Sequence, residues 1–362
     1  MSSVDVDQEE FRIGEEKRPS GLVVVKGRPF NAEAPVAALD APITDTRSFY
    51  VRSHFDVPRI DPATHRISIE GEVNAPFSLT MEELAALPRR TYVATMECAG
   101  NGRLGLSPLP PGEPWGNGAI STAEWAGVPL REVLQRAGLR EGTVEVLAEG
   151  ADAGEVAGAD VPIAFARSLP LEVALHEDTL LALEMNDEPL SPEHGAPVRL
   201  LVPRWFGVAS VKWVRRLVAL KTPYQGHFQT EKYVYDAGDG RREPVQRMKV
   251  SSLLTSPRDG EVLPRGEALE LRGRAWSGSA PVVKVEVAVD GGERWQEAEL
   301  EGEPSAYAWR GFRLSLRALE PGRHTLRCRA TDAQGNTQPA QAGWNKHGYG
   351  NNAVRRITIS VE

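Results

Sequence analysis

The residues richest in usable chemistry lie together in Met96-Glu97-Cys98-Ala99-Gly100-Asn101-Gly102-Arg103. Cys98 is one of two cysteines in 362 residues, the other being Cys328. Two glycines follow it, and they let the backbone come close to a bulky partner. Arg103 stands near enough in sequence to lower the cost of a thiolate. A thiolate is a soft ligand suited to a soft or high-valent metal. A single cysteine makes no structural zinc site, so a metal here would be held mainly by something else. On this motif alone an inert, buried cysteine is the commoner fate; the rest of the chain reverses that order.

A second signal lies further on. Residues 194–230 contain no Asp or Glu but carry His194, Arg199, Arg204, Lys212, Arg215, Arg216, Lys221 and His227. The chain as a whole is acidic, with a formal net charge of -8. A local basic field in such a chain fits a large anionic ligand held by charge-assisted hydrogen bonds. Arg199 and Lys212 have apolar neighbours and read as inward-facing, whereas Arg215-Arg216 reads equally well as a solvent-facing strand. Trp205, Phe206 and Trp213 sit among apolar residues and read as core. With the acidic balance, they make nucleic acid a poor partner.

Two domains are the expectation at this length. Residues 1–20 read as a flexible, charged arm. Residues 21–240 mix strands and short helices, which predicts an α+β domain. Ile67-Ser68-Ile69-Glu70-Gly71-Glu72-Val73 alternates as a strand, and Thr80 with Glu83 forms a capping box before a short helix. Residues 129–138 read as a helix with Pro at its start and Gly at its end. Residues 144–148 and 198–202 read as strands. Residues 238–244 read as a linker. Residues 245–362 are nearly all strand, at the spacing of an immunoglobulin-like sandwich, with Cys328 on an apolar face. The start lacks the apolar run of a secretory signal, and no segment approaches a membrane span. The expectation is a cytoplasmic protein with no membrane partner, or a periplasmic one had a precursor segment been removed.

These motifs, taken in order, resemble the sulfite oxidase family of molybdenum enzymes over nearly the whole chain. The likeness is carried by Phe49-Tyr50-Val51-Arg52-Ser53-His54, Glu97-Cys98-Ala99-Gly100-Asn101 and the run from Trp115 to Val128. It continues in Glu184-Met185-Asn186, His194-Gly195-Ala196-Pro197-Val198-Arg199, Val211-Lys212-Trp213, and Trp344-Asn345 through Asn351-Asn352-Ala353. The resemblance implies a molybdopterin-binding domain followed by a dimerisation domain, hence a homodimer. It implies that Cys98 binds molybdenum and that a molybdopterin dithiolene supplies the other sulfurs. It places His194, Arg199 and Lys212 on the pterin or its phosphate, with Asp152 and His54 as further contacts. For these last two, a turn residue and a packed loop histidine stand as alternatives. Arg52, Arg103 and Tyr233 match the substrate pocket, with Tyr224 and Tyr235 as competing tyrosines and Trp115 as an apolar wall.

The family implies oxidation of sulfite to sulfate by oxo transfer, and guanidiniums suit such a compact oxyanion. One departure stands out. Where the animal enzymes have Trp-Asn-Leu-Arg-Gly, this chain has Trp344-Asn345-Lys346-His347-Gly348, so that His347 takes an arginine's place with charge that depends on pH. The absence of Cys-x-x-Cys-His predicts no c-type haem. No haem is expected, and electrons would leave to a separate acceptor such as a cytochrome. Two rival readings remain open. One is the same cofactor used to reduce nitrate or an S- or N-oxide; the other is a cofactor-free dimeric binding protein.

Overall fold

A computed structural model of the chain describes residues 21–236, 240, 242–290 and 294–362. The expected arm at 1–20 lies outside the described residues. The first half is built on two five-stranded sheets. One runs in the order Phe77–Thr80, Arg66–Gly71, Val214–Leu220, Glu145–Gly154, Ile163–Pro170. Its single parallel pairing joins Val214–Leu220 to Arg66–Gly71, with Leu217 opposite Ile69. The other sheet is antiparallel and runs Glu188–Pro189, Leu180–Met185, Ile120–Pro129, Arg90–Glu97, with Arg199–Leu201 also paired to Leu180–Met185.

Ile67, Ile69, Val146 and Leu217 alternate inward along their strands and are fully buried. Helix Leu130–Ala137 packs Leu130, Val133, Leu134 and Ala137 against them. It stops at Gly138, whose φ of +68° closes the last turn on the Leu134 and Gln135 carbonyls. Thr80 and Glu83 form the expected reciprocal capping box on helix Met81–Ala85, a device that stabilises a helix start by about 1 kcal/mol. This half nevertheless holds more sheet than an α+β reading suggests. Among its described residues the α-helices span only Met81–Ala85, Leu130–Ala137 and Leu171–Ala174. Prolines at 129 and 170 open two of them directly from strands, so the helices serve as corners rather than as a layer.

The second half has a four-stranded sheet (Ser251–Ser256, Leu269–Trp276, Arg310–Leu316, Glu299–Leu300) and a five-stranded one (Val262–Leu263, Arg355–Val361, Gly322–Asp332, Val282–Val289, Trp295–Glu297). Leu254, Leu271 and Phe312 from the first share one core with Val285, Val287, Leu326, Cys328 and Ile359 from the second. Cys328 is 1% exposed there. The expected linker is structured where it is described: Arg242–Pro244 pairs antiparallel with Val234–Asp236. The two halves are tied near this hairpin and at a second seam. There Trp309 Nε1 donates to the Pro42 carbonyl at 2.8 Å, and Arg274 Nε donates to that of Leu39 at 3.2 Å.

Candidate active site

Strand Arg90–Glu97 delivers Cys98 at its end, where the chain turns. Cys98 N–H donates to the Ala119 carbonyl at 2.8 Å, and the Cys98 carbonyl accepts from Asn101 N–H at 2.9 Å. A Cβ on Gly100 would lie 2.7 Å from both terminal nitrogens of Arg103, so only glycine lets that guanidinium fold back against the loop. Arg103 is 4% exposed and donates to the Glu113 carbonyl at 2.5 Å and the His347 carbonyl at 3.1 Å. Cys98 itself is buried, and burial pushes its thiol up; Arg52 is the larger charge opposing this, ahead of Arg103. The sequence argument that Arg103 favours a thiolate is therefore right in sign but secondary in weight.

Cys98 lies where two cavities meet. The inner one is lined by His194, Arg199, Lys212, Asp152, Tyr50 and Trp213, among others. The outer one is lined by Arg103, Glu113, Trp115, Lys232, His347 and Tyr349. Arg52, His54, Cys98 and Tyr233 line both. Every site residue expected from the sequence thus falls in this pair of cavities.

The inner cavity gathers cations at unusual cost. Arg199 begins strand Arg199–Leu201 and is 4% exposed. It donates to the His194 carbonyl at 3.0 Å and the Ser210 carbonyl at 3.2 Å, while Nε is buried without a partner. Burial lowers its pKa to about 10. Lys212 Nζ donates to Ser53 Oγ and the Glu193 carbonyl, both at 2.8 Å. Burial also lowers Lys212, and it raises Asp152, whose Oδ1 is left without a partner. His194 is lowered to about 3 by burial and then by Arg199 and Lys212, so it is neutral at pH 7. Gly195, at φ +105°, turns the chain between His194 and Arg199. Arg52, Arg199 and Lys212 face the two carboxylates Asp152 and Glu193 around this cavity, which leaves room for an anion.

The outer cavity is built around Tyr233. Its φ of +54° is rare for an aromatic residue and aims the phenol into the cavity. Tyr233 stacks on Tyr349 with centroids 4.8 Å apart. Tyr233 Oη and His54 Nε2 are 2.6 Å apart. Burial, followed by Arg52 and Lys212, drives His54 well down, so the ring is neutral, and its tautomer sets which of the two groups donates. Tyr224 lies in a separate surface cavity with His227, and Tyr235 sits under Lys249, so of the three tyrosines Tyr233 alone lines the cavities at Cys98. Trp115 is 1% exposed and forms part of the wall.

Lys232, Glu113 and Tyr349 were not expected. Lys232 adjoins Tyr233 and Tyr349 follows His347 by two, which are the signals that could have found them; nothing local marks Glu113. The basic stretch divides as well. Arg215 and Arg216 pair with Glu149 and Glu70, and Lys221 with Glu72, all on the strand surface. Only His194, Arg199 and Lys212 turn inward. Among the described residues, no three His, Cys, Asp or Glu side chains converge to hold a metal. Cys98 is therefore not part of a three-residue metal cage of the protein's own making among the described residues.

Comparison with known proteins agrees with this geometry. Residues 54–228 match the family model described as the oxidoreductase molybdopterin binding domain. Residues 242–362 match the Mo-co oxidoreductase dimerisation domain. The chain is 36% identical over 375 residues to sulfite oxidase of Gallus gallus, covering 97% of this chain and 80% of that one. It is 37% identical over 369 residues to mitochondrial sulfite oxidase of Rattus norvegicus, covering 95% of this chain but 66% of the rat protein. A nitrate reductase of Hordeum vulgare is 34% identical over 380 residues, covering 95% of this chain and 42% of that one. The solved sulfane dehydrogenase SoxCD of Paracoccus pantotrophus superposes with a TM-score of 0.80 at 32% identity, over 93% of this chain and 88% of that one.

Proposed function

The chain belongs to the sulfite oxidase family of molybdopterin oxidoreductases, and from that membership we propose that it oxidises sulfite to sulfate, passing electrons to a separate acceptor. The observation that carries this reading is the position of Cys98 between a cationic inner cavity and a cationic outer one.

The residues present fit the cofactor. A soft sulfur donor stands alone, and the orphaned Arg199 Nε and Asp152 Oδ1 offer a donor and an acceptor to a polar heterocycle. Arg199, Lys212, His194 and Asp152 would hold the pterin and its phosphate, and Cys98 would bind the metal. When bound, the molybdenum centre supplies oxo transfer with a two-electron redox change. The chain's own residues do the rest. Arg52 and Arg103 bind and orient the dianion through fixed guanidiniums. Lys232 adds charge at the mouth. Trp115 and Tyr349 narrow the space open to water. Tyr233 holds a proton at Oη, shared with His54. Sulfite plus water gives sulfate, two protons and two electrons, so a proton-holding pair and an external electron acceptor such as a cytochrome are both needed. The match to a dimerisation domain supports a homodimer, and the two-sheet second half supports an immunoglobulin-like fold for it.

The test is sulfite-dependent reduction of ferricyanide by protein whose molybdenum content is near one per chain. Rapid turnover is expected. No turnover from loaded protein, together with reduction of nitrate or a sulfoxide by a reduced dye, would replace sulfite as substrate. Protein carrying neither metal nor pterin from a competent host would overturn the enzyme reading.

His347 gives a further prediction. Burial, then Lys232 and Lys346, lower its pKa, with Asp236 opposing. The imidazole is therefore neutral at pH 7 and gains charge only as the pH falls below its ordinary range, so its contribution to anion binding is lost as pH rises. His347→Arg should lower the sulfite KM at pH 7–8 by roughly fivefold, about 1 kcal/mol of added charge interaction. It should also flatten the dependence of KM on pH. Steady-state KM at several pH values decides this, and unchanged values would place His347 outside the binding step.

A further inference from the structure

The loop that carries Cys98 is held by its own half, through Ala119 and Gly116, and also by the other one. Trp276 Nε1, from strand Leu269–Trp276, donates to Glu97 Oε2 at 2.9 Å. Gly350 N–H donates to the Ala99 carbonyl at 2.7 Å. Asn351 Nδ2 donates to the Gly102 carbonyl at 2.7 Å. The His347 carbonyl receives Arg103, as described above. Bonds from the second half thus reach the residues on both sides of Cys98. Within its own half, Glu97 Oε1 accepts from Asn101 Nδ2 at 3.0 Å, and Asn101 Oδ1 accepts from Ala119 N–H at 3.2 Å.

Glu97 is 3% exposed. A buried carboxylate is costly unless its oxygens are hydrogen-bonded and a cation lies near, and then it tolerates little displacement. Both conditions hold. The Arg355 guanidinium lies 5.4 Å from the centre of the Trp276 ring and is the leading charge that offsets the burial of Glu97. Its terminal nitrogens are buried and make no hydrogen bond. Glu97, the Trp276 indole and Arg355 thus form one compact polar unit, which immobilises the residue next to Cys98.

We propose that the second half is a positioning element for the Cys98 sulfur, acting through Trp276 on Glu97 and through Gly350 and Asn351 on the carbonyls that follow. This rests on Cys98 as the metal ligand, but it can be read on the thiol alone. The fold supplies a matched control. Trp309 is buried and also donates its indole N–H across the two halves, to the Pro42 carbonyl; its backbone N–H reaches the Cys98 strand at Thr95, a bond that Trp309→Phe leaves in place, and its seam does not touch residues 97–103. Trp276→Phe and Trp309→Phe remove the same indole N–H, from the Glu97 carboxylate in one case and from a backbone carbonyl in the other.

The experiment compares alkylation of Cys98 by iodoacetamide in the native, full chain purified without cofactor, with Cys328 as a reporter of general opening. Trp276→Phe is expected to raise the Cys98 rate about tenfold, the scale of one lost bond to a charged group, and Trp309→Phe to leave it within about twofold. In loaded enzyme, Trp276→Phe should shift the thiolate-to-metal absorption and lower kcat with KM little changed. Trp309→Phe should do neither. Should Trp276→Phe fail to fold, Asn351→Ala on the half-buried Asn351 takes its place, with a smaller rise at Cys98. A wild-type Cys98 rate, equal effects of the two tryptophan variants, or acceleration of Cys98 and Cys328 together would each overturn the proposal. Loaded wild-type protein inactive on sulfite would overturn the substrate reading and leave this one standing.

Discussion

Cys98→Ser is expected to abolish oxidation of every substrate, lowering kcat by at least about a thousandfold while the protein stays folded. A serine hydroxyl is a hard donor with a far higher pKa than a thiol, so it does not replace thiolate at a soft or high-valent metal. Nothing else can step in, because no cluster of metal-ligating side chains exists among the described residues. The fold should survive. The loop is shaped by backbone bonds from Cys98 to Ala119 and Asn101, which do not involve the sulfur. A buried hydroxyl without a partner costs about 1–3 kcal/mol, against total stabilities of about 5–15 kcal/mol for such domains. Near-ultraviolet circular dichroism and elution volume should match the parent, and ferricyanide reduction should vanish. Wild-type turnover in the variant would remove Cys98 from the chemistry.

What the sequence disclosed about this site, and what it withheld, follows one physical division. Cys98 and Arg199 were legible because their motifs are local: glycines beside a cysteine, and a basic residue among apolar neighbours. Lys212 was legible for the same reason. The division of the basic stretch was only half legible. Strand alternation alone does not reveal that Glu70 and Glu149 on the neighbouring strands, and Glu72 just past a strand end, stand ready to neutralise Arg216, Arg215 and Lys221. Glu113 escaped notice because nothing near it in sequence points to a pocket; it reaches the outer cavity through a turn held by Arg103. The Glu97–Trp276 bond joins residues 179 apart in sequence, and no periodicity encodes such a meeting. Residues 242–244 read as linker for a similar reason. Their strand character comes from pairing with Val234–Asp236 and not from their own composition.

Arg52 and Arg103 look equivalent in sequence, and the structure separates them. Arg103 ties the Cys98 loop to the Glu113 and His347 carbonyls, so its removal would disturb the loop as well as the charge. Arg52 donates to Asn31 Oδ1 at 3.2 Å and to the Ser53 carbonyl, and it lines both cavities. Burial alone would lower its pKa, but Tyr233, Cys98 and Glu113 outweigh that and hold the guanidinium above its ordinary value. Its charge is thus permanent across the working pH range. Arg52→Gln should therefore isolate the charge. Losing a charge-assisted bond to a dianion is worth about 1.5–3 kcal/mol, or about 10–150-fold in kcat/KM for sulfite. Most of that should appear in KM, because the interaction forms on binding. A smaller fall in kcat is expected from the lost support of the Tyr233 phenol. Arg52→Lys should recover part of the KM but not all, since a lysine keeps the charge and loses the planar fork. Steady-state kinetics on protein of matched molybdenum content separate these effects. An unchanged KM in Arg52→Gln would assign the oxyanion to Arg103 and Lys232 at the mouth and leave Arg52 to the cofactor side of Cys98.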